Sequence, residues 1–170
     1  MPQIEIGVSS CLLGHKVRYD GQDRKNDHVL KLCEQFHCIA ICPEYAISLG
    51  VPRAPIKIIQ FDSGKRVRGV ENPKLDVTDP LMEYADSIYE SIPHLCGYIF
   101  KARSPSCGVN STPYFSESGT DLGVTSGVYS NRIQQQFQNL PIIEDSELKT
   151  DSDIQGFIDA VNNYAKEHIA

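Results

Sequence analysis

The run Cys96-Gly97-Tyr98-Ile99-Phe100-Lys101-Ala102-Arg103-Ser104-Pro105-Ser106-Cys107-Gly108 decides how the chain is read. Its first five residues form an apolar stretch that predicts a buried strand, with a core strand spanning 96–101. The following eight hold two cations, two hydroxyls, a proline, a thiol and a glycine, little of which can fill a core. A polar cluster just past the C-terminal end of a strand is where an open α/β sheet places its chemistry. Two other segments repeat the design. Val8-Ser9-Ser10-Cys11 ends a strand over 3–8 in which Ile4, Ile6 and Val8 alternate, and Ala40-Ile41-Cys42-Pro43-Glu44 closes a strand over 38–42. Three strands therefore each end near one cysteine.

Working outward, helices alternate with these strands. The segment 27–36 reads as a helix, with Asp27 as N-cap and Val29, Leu30, Cys33 and Phe36 on one face. A short helix is expected over 44–49. Another starts at Thr78 as cap, carries Pro80 in its first turn and runs to Pro93, with Leu81, Tyr84, Ala85, Ile88 and Ile92 at helical spacing. Two more cover 127–138 and 152–168, with a short strand at Leu140–Ile143 between them. Ile56–Gln60 and Arg66–Gly69 flank Asp62-Ser63-Gly64-Lys65, a hairpin signal. The long polar stretch 11–26 reads as a functional connection. The segment 108–126 is rich in Ser, Thr and Gly without apolar periodicity and reads as a lid or binding loop. The alternation predicts a single α/β domain over 1–170: a three-layer Rossmann-like sandwich with a mainly parallel sheet plus a small β-hairpin insertion. Right-handed crossovers would put every strand's C-terminal end on one edge, gathering Cys11, Cys42, Glu44, Ser104 and Cys107 there.

Composition narrows the function classes. With 170 residues, 41% hydrophobic and 22% charged, the chain has the make-up of a globular protein with ample core. A net charge of -6 argues against a general nucleic-acid binder. No apolar run is long enough to span a bilayer. Met1-Pro2-Gln3-Ile4-Glu5 shows no basic segment followed by an apolar one, so a cytoplasmic location is expected. In that reducing compartment the six cysteines are expected as thiols or metal ligands rather than disulfides.

The cysteines divide into two groups. Cys38 lies on one strand with Cys42, about 13 Å away at a rise of roughly 3.3 Å per residue, too far to share an ion. Cys96 opens its strand and belongs at the opposite sheet edge, and Cys33 lies on an apolar helix face. These three read as core thiols. Cys11, Cys42 and Cys107 have polar or glycine neighbours at strand ends and are candidates for a common metal centre, although no C-x-x-C or H-E-x-x-H spacing is present. Two centres suit three thiolates. A structural zinc needs a fourth ligand, for which His15 is the nearest in sequence, unless it is a solvated loop residue. A [4Fe–4S] cluster with three cysteines keeps one open iron. Glu44 is either a first-turn acid favoured by the helix dipole or a general acid/base. Ser104 is either a turn hydroxyl before Pro105 or a hydrogen-bonding group for substrate or water. Arg18, Arg53, Lys101 and Arg103 would offset a cluster's negative charge, or form a solvated rim. Gly119, Gly123 and Gly127 lack the Gly-Lys-Ser/Thr ending of a P-loop.

Several segments taken together resemble one bacterial family, the thiouracil desulfidases. They are Ser9-Ser10-Cys11-Leu12-Leu13-Gly14, Val17-Arg18-Tyr19-Asp20-Gly21, Cys42-Pro43-Glu44, Gly50-Val51-Pro52-Arg53 and Lys101-Ala102-Arg103-Ser104-Pro105-Ser106-Cys107-Gly108. The resemblance implies that Cys11, Cys42 and Cys107 hold a [4Fe–4S] cluster whose open iron takes the sulfur of a thiolated pyrimidine. It further implies non-redox hydrolysis to uracil and hydrogen sulfide, with Glu44 as catalytic acid and Ser104 as its supporting hydroxyl. The expected partner is a small thiolated nucleobase, with no membrane and no nucleic acid. Competing readings are a sulfurtransferase using the open iron and a non-catalytic zinc or cluster-sensor module.

Overall fold

The computed structural model describes residues 3–169. Met1 and Pro2, which entered the expectation about a leader segment, and Ala170 lie outside the described residues. Four strands, β1 (Glu5–Ser9), β2 (His37–Ile41), β5 (Tyr98–Phe100) and β8 (Ile142–Glu144), form a parallel sheet in the order β2-β1-β5-β8. Alternation within β1 sends Ile6 and Val8 to one face, where with Cys96 and Ile99 they meet α1 (Asp27–Leu32) and α5 (Asp151–His168). The other face, Tyr98 and Phe100, packs under α3 (Thr78–Ser91) and α4 (Val128–Gln136). This is the three-layer arrangement expected. Gly7 is required here, since a Cβ would stand 2.6 Å from the Tyr98 ring that lies over it. Helix faces follow the periodicity: Leu81, Ala85 and Ile88, then Tyr129 and Ile133, then Ile154, Phe157, Ile158, Val161 and Ala165 are all buried.

The hairpin of β3 (Ile56–Phe61) and β4 (Gly64–Gly69) is present, but it belongs to something larger. The segment read as a lid is itself a hairpin, β6 (Thr112–Ser116) and β7 (Asp121–Thr125). β6 pairs in parallel with β3, giving a second four-stranded sheet in the order β4-β3-β6-β7. Pro113 and the exposed Leu122 and Val124 hide this hairpin from a search for buried strands. The short helix after β2 is α2 (Pro43–Ala46).

Three expectations about local chemistry are corrected. Asn26, not Asp27, caps α1, its Oδ1 accepting from His28 N at 3.0 Å and Val29 N at 3.2 Å. Thr78 does not cap α3; its Oγ1 accepts from Val67 N of β4 at 2.7 Å, while Asp76 Oδ1 accepts from Thr78 N at 3.0 Å. Cys33 and Cys38 are not separate core thiols but a disulfide, with Cα atoms 5.5 Å apart. The reason is the early end of α1: Cys33 is its C-cap, and the turn to Phe36 carries the chain straight back into β2. The pair still packs against the core, and Cys96 is the buried core thiol expected. Among the described residues, no helix is long and apolar enough to cross a membrane.

Candidate metal centre and active site

In this strand order the chain turns one way from β1 to β2 and the other way to β5, so the switch point lies outside the C-terminal ends of β1 and β5, where open α/β sheets bind ligands. A cavity of about 430 Å³ opens there. Its wall brings together Cys11 from the 3-10 turn Ser10–Leu13 after β1, Cys42 and Glu44 from the β2–α2 junction, and Ser104 and Cys107 from the loop after β5. All five residues singled out in the sequence are thus on one cavity. Arg18, Arg53, Lys101 and Arg103 line it as well.

The three thiols share one electrostatic environment. Burial pushes Cys11 up to about 11, against the pull of Arg18 and Lys101, and the neighbouring Cys42 adds to the rise. Burial likewise raises Cys107, and Cys42 again contributes. Cys42 is itself raised by burial and opposed by Arg53, whose Nη2 stands 4.0 Å from its sulfur. A soft cation that replaces the thiol protons would stabilise three thiolates in a site where two of the cysteines are buried and Cys42 is half-buried.

Glu44 is clamped from both sides. Its Oε1 accepts from Arg53 Nε at 3.2 Å and its Oε2 from Ser106 Oγ at 2.9 Å. Arg53 is not a solvated rim residue. Its side chain is 6% exposed, and its Nη1 donates to the carbonyls of Val17 at 2.8 Å and Gly50 at 2.7 Å. Ser104 Oγ accepts from the backbone N–H of Cys107 at 3.1 Å and of Ser106 at 3.3 Å, closing the turn that aims the cysteine. Ser106, 1% exposed, joins the acid to this turn and had no role assigned from sequence. Nothing in Ser-Pro-Ser distinguishes its two hydroxyls; only the loop path does.

Three thiols on one cavity wall are a donor set that an iron–sulfur cluster can take. Thiolates are the ligands such clusters take. Among the described residues, no three His, Cys, Asp or Glu side chains stand close enough together to hold a single metal. Arg18 Nε is a buried N–H with no acceptor, 3.4 Å from Asp20 Oδ1 but outside hydrogen-bond geometry, which suits an anionic occupant. His15 does not close a zinc site: it is exposed, does not line the cavity, and its Nδ1 lies 2.6 Å from Ser10 Oγ.

Fold and site together define a doubly wound α/β protein with a cysteine-walled cavity at its switch point. The chain belongs to the 2-thiouracil desulfurase family, whose sequence pattern matches residues 6–145. It is 30% identical over 132 residues to the uncharacterized protein YbbK of Bacillus subtilis (strain 168), covering 72% of this chain and 87% of that one. The fold is similar to a solved structure described as the [4Fe-4S]-dependent thiouracil desulfidase TudS, with a TM-score of 0.69, 23% identity, and coverage of 95% of this chain and 99% of that one.

Proposed function

We propose that this protein is an iron–sulfur-dependent desulfidase that converts a 2-thiouracil-like pyrimidine and water into uracil and hydrogen sulfide without net redox change. The observation that carries the reading is the meeting of Cys11, Cys42, Cys107, Glu44 and Ser104 on one cavity. Membership of the 2-thiouracil desulfurase family supports it. Cys11, Cys42 and Cys107 would hold a [4Fe–4S] cluster, which when bound supplies a Lewis-acidic iron for the substrate's sulfur. Glu44 takes a proton from the attacking water and returns it to the departing sulfur. Ser104 orients water or substrate at the cavity wall. Arg53 holds the carboxylate in place, and Arg18 and Lys101 temper the anionic charge. At about 430 Å³ the cavity lies in the size range of small-molecule sites, in keeping with a single thiolated nucleobase.

The test is iron, acid-labile sulfide and zinc analysis of protein purified without oxygen, followed by addition of 2-thiouracil. Roughly four irons and four sulfides per chain, the stoichiometry of a cubane, and release of sulfide and uracil are expected. Cys11→Ser, Cys42→Ser and Cys107→Ser should each lose the iron, and Cys96→Ser should keep it. Glu44→Ala should keep the cluster and lose turnover. One zinc without iron would replace the reading with a structural module, and sulfide release only in the presence of an acceptor would make the protein a sulfurtransferase.

A further inference from the structure

We infer that Glu144 is a positioning residue for Cys107: its buried carboxylate closes the loop 103–111 and fixes where that loop stands against the parallel sheet, so that the thiol meets Cys11 and Cys42. The inference deepens the desulfidase reading and rests on it only for the group that the three cysteines hold.

Glu144 is the last residue of β8 and is 5% exposed. It lies beside Phe100, the last residue of β5, in the parallel register of the two strands. The chain leaves β5 there and returns as β6 at Thr112. Three donors meet the Glu144 carboxylate. Its Oε2 accepts from Val109 N at 2.9 Å and from Ser111 Oγ, and the backbone N–H of Glu147 completes the set. A carboxylate only accepts, and charge-assisted bonds of this kind are the strong ones. Ser111 Oγ in turn accepts from Arg103 N at 2.8 Å, so this hydroxyl at the end of the loop ties its first residue to the acid. The neighbouring Asp145 takes Ala102 N at 2.7 Å, one residue before the loop begins. Arg103 and Asn110 both sit in the left-handed region, with φ of 67° and 53°. An arginine seldom adopts that conformation, and it persists where surrounding bonds over-determine the backbone.

Two sets of bonds act on the loop, and they do different things. Gly108 N donates to the Ser104 carbonyl at 2.9 Å. From the head of α4, Ser130 N donates to the Ser106 carbonyl at 3.0 Å and Gly127 N to the Gly108 carbonyl at 2.8 Å. These bonds shape the turn around Cys107 and join it to α4, but none of them reaches the parallel sheet. Cys11 and Cys42 follow β1 and β2, which belong to that sheet. Where Cys107 stands relative to them is therefore set where the loop is fastened to β8. Glu144 is the fastening nearer the thiol: Val109 is two residues from Cys107, whereas Ala102 is five. Glu144 does not line the cavity and touches no reacting atom; it acts through Cys107.

Two measurements test the inference. The first uses the metal-free full chain, alkylated with iodoacetamide under native conditions and read cysteine by cysteine by peptide mass spectrometry. Cys107 and Cys96 are both buried, so Cys96 reports opening of the whole fold and Cys107 reports opening of the loop. Ser111→Ala removes the hydroxyl strap, and Glu144→Ala removes the fastening itself. Each should raise the Cys107 rate about tenfold, the effect of one lost buried hydrogen bond on a local opening, with Cys96 unchanged. An unchanged Cys107 rate, or a rise shared equally by Cys96, overturns the inference. The second measurement loads wild type, Ser111→Ala and Ser111→Thr with iron and sulfide and follows transfer of iron to a chelator. Ser111→Ala should lose iron about tenfold faster than wild type, and Ser111→Thr, which keeps the hydroxyl, should match wild type. Equal rates for Ser111→Ala and wild type also overturn it. If Glu144→Ala does not fold, Ser111→Ala decides. If the wild type takes up no iron, the desulfidase reading fails while the alkylation rates still decide whether Glu144 holds the loop.

Discussion

Replacing Arg53 by methionine should destabilise the metal-free protein by about 3–5 kcal/mol, the usual cost of removing one partner from a buried ion pair. The size follows from the surroundings. The Arg53 and Glu44 side chains are 6% and 13% exposed, so water replaces the guanidinium only poorly. Its loss leaves Glu44 Oε1 without that donor and frees the carbonyls of Val17 and Gly50. Methionine keeps the stem volume, so cavity formation contributes little. At ~2–4 °C per kcal/mol for a chain of this size, the melting temperature should fall by on the order of 10 °C. Urea unfolding of wild type, Arg53→Met, Glu44→Gln and the double variant would separate charge from packing. Since much of the penalty is an uncompensated carboxylate, adding Glu44→Gln to Arg53→Met should restore more than about 1 kcal/mol. A loss below about 1 kcal/mol for Arg53→Met, the range of exposed pairs, would refute the reasoning. So would a double variant no more stable than Arg53→Met.

Asp76 offers a pH-dependent test. Burial raises its carboxyl, but Arg66 and the Thr78 N–H outweigh that and hold it at about 2, below the ordinary 3.8. A depressed carboxyl stabilises the fold above its unfolded pKa and loses that contribution as pH falls. Asp76→Asn should therefore cost about 1 kcal/mol near neutrality, allowing for screening at a partly exposed pair, and the gap should close between pH 4 and 2. A gap that stays constant over that window would refute the assignment. The Cys33–Cys38 disulfide closes a short loop at the start of β2, away from Cys42 at its end. Cys33→Ala/Cys38→Ala should lose ~2 kcal/mol by loop-closure entropy and leave iron binding intact; loss of iron would show that the pair supports the site.

The layers and the cysteine site are legible in the sequence because both depend on a local pattern and a topological rule. Period-two and period-3.6 apolar spacing predicts β1 and the faces of α3, α4 and α5, and right-handed crossovers turn "end of strand" into "same edge". Cys42 follows its strand directly, and Cys11 and Cys107 lie in the connections that leave β1 and β5. The second sheet is not legible in this way. β6 pairs with β3, more than fifty residues earlier in the chain, and its stability comes from that partner rather than from its own composition. The disulfide is hidden for a related reason: its existence turns on α1 ending at Leu32, one turn short of the apolar pattern.

The hydroxyls show where local reading stops. Ser104 and Ser106 stand two residues apart in identical company, and which one faces the cavity depends on the loop after β5. That loop is set by residues that come much later in the chain. Asp145 accepts from Ala102 N at 2.7 Å at one end of the loop, and the buried Glu144 accepts from Val109 N at 2.9 Å at the other. Thr112 Oγ1 donates to the Ser104 carbonyl at 2.6 Å, and Gly127 at the head of α4 sits so close to Ser106 that no Cβ would fit. Three later elements, β6, α4 and β8, therefore press one turn into the path that buries Ser106 against Glu44 and leaves Ser104 at the cavity wall. Bringing the three cysteines together needs only the ends of parallel strands, whereas setting Ser106 against Glu44 needs the finished tertiary structure.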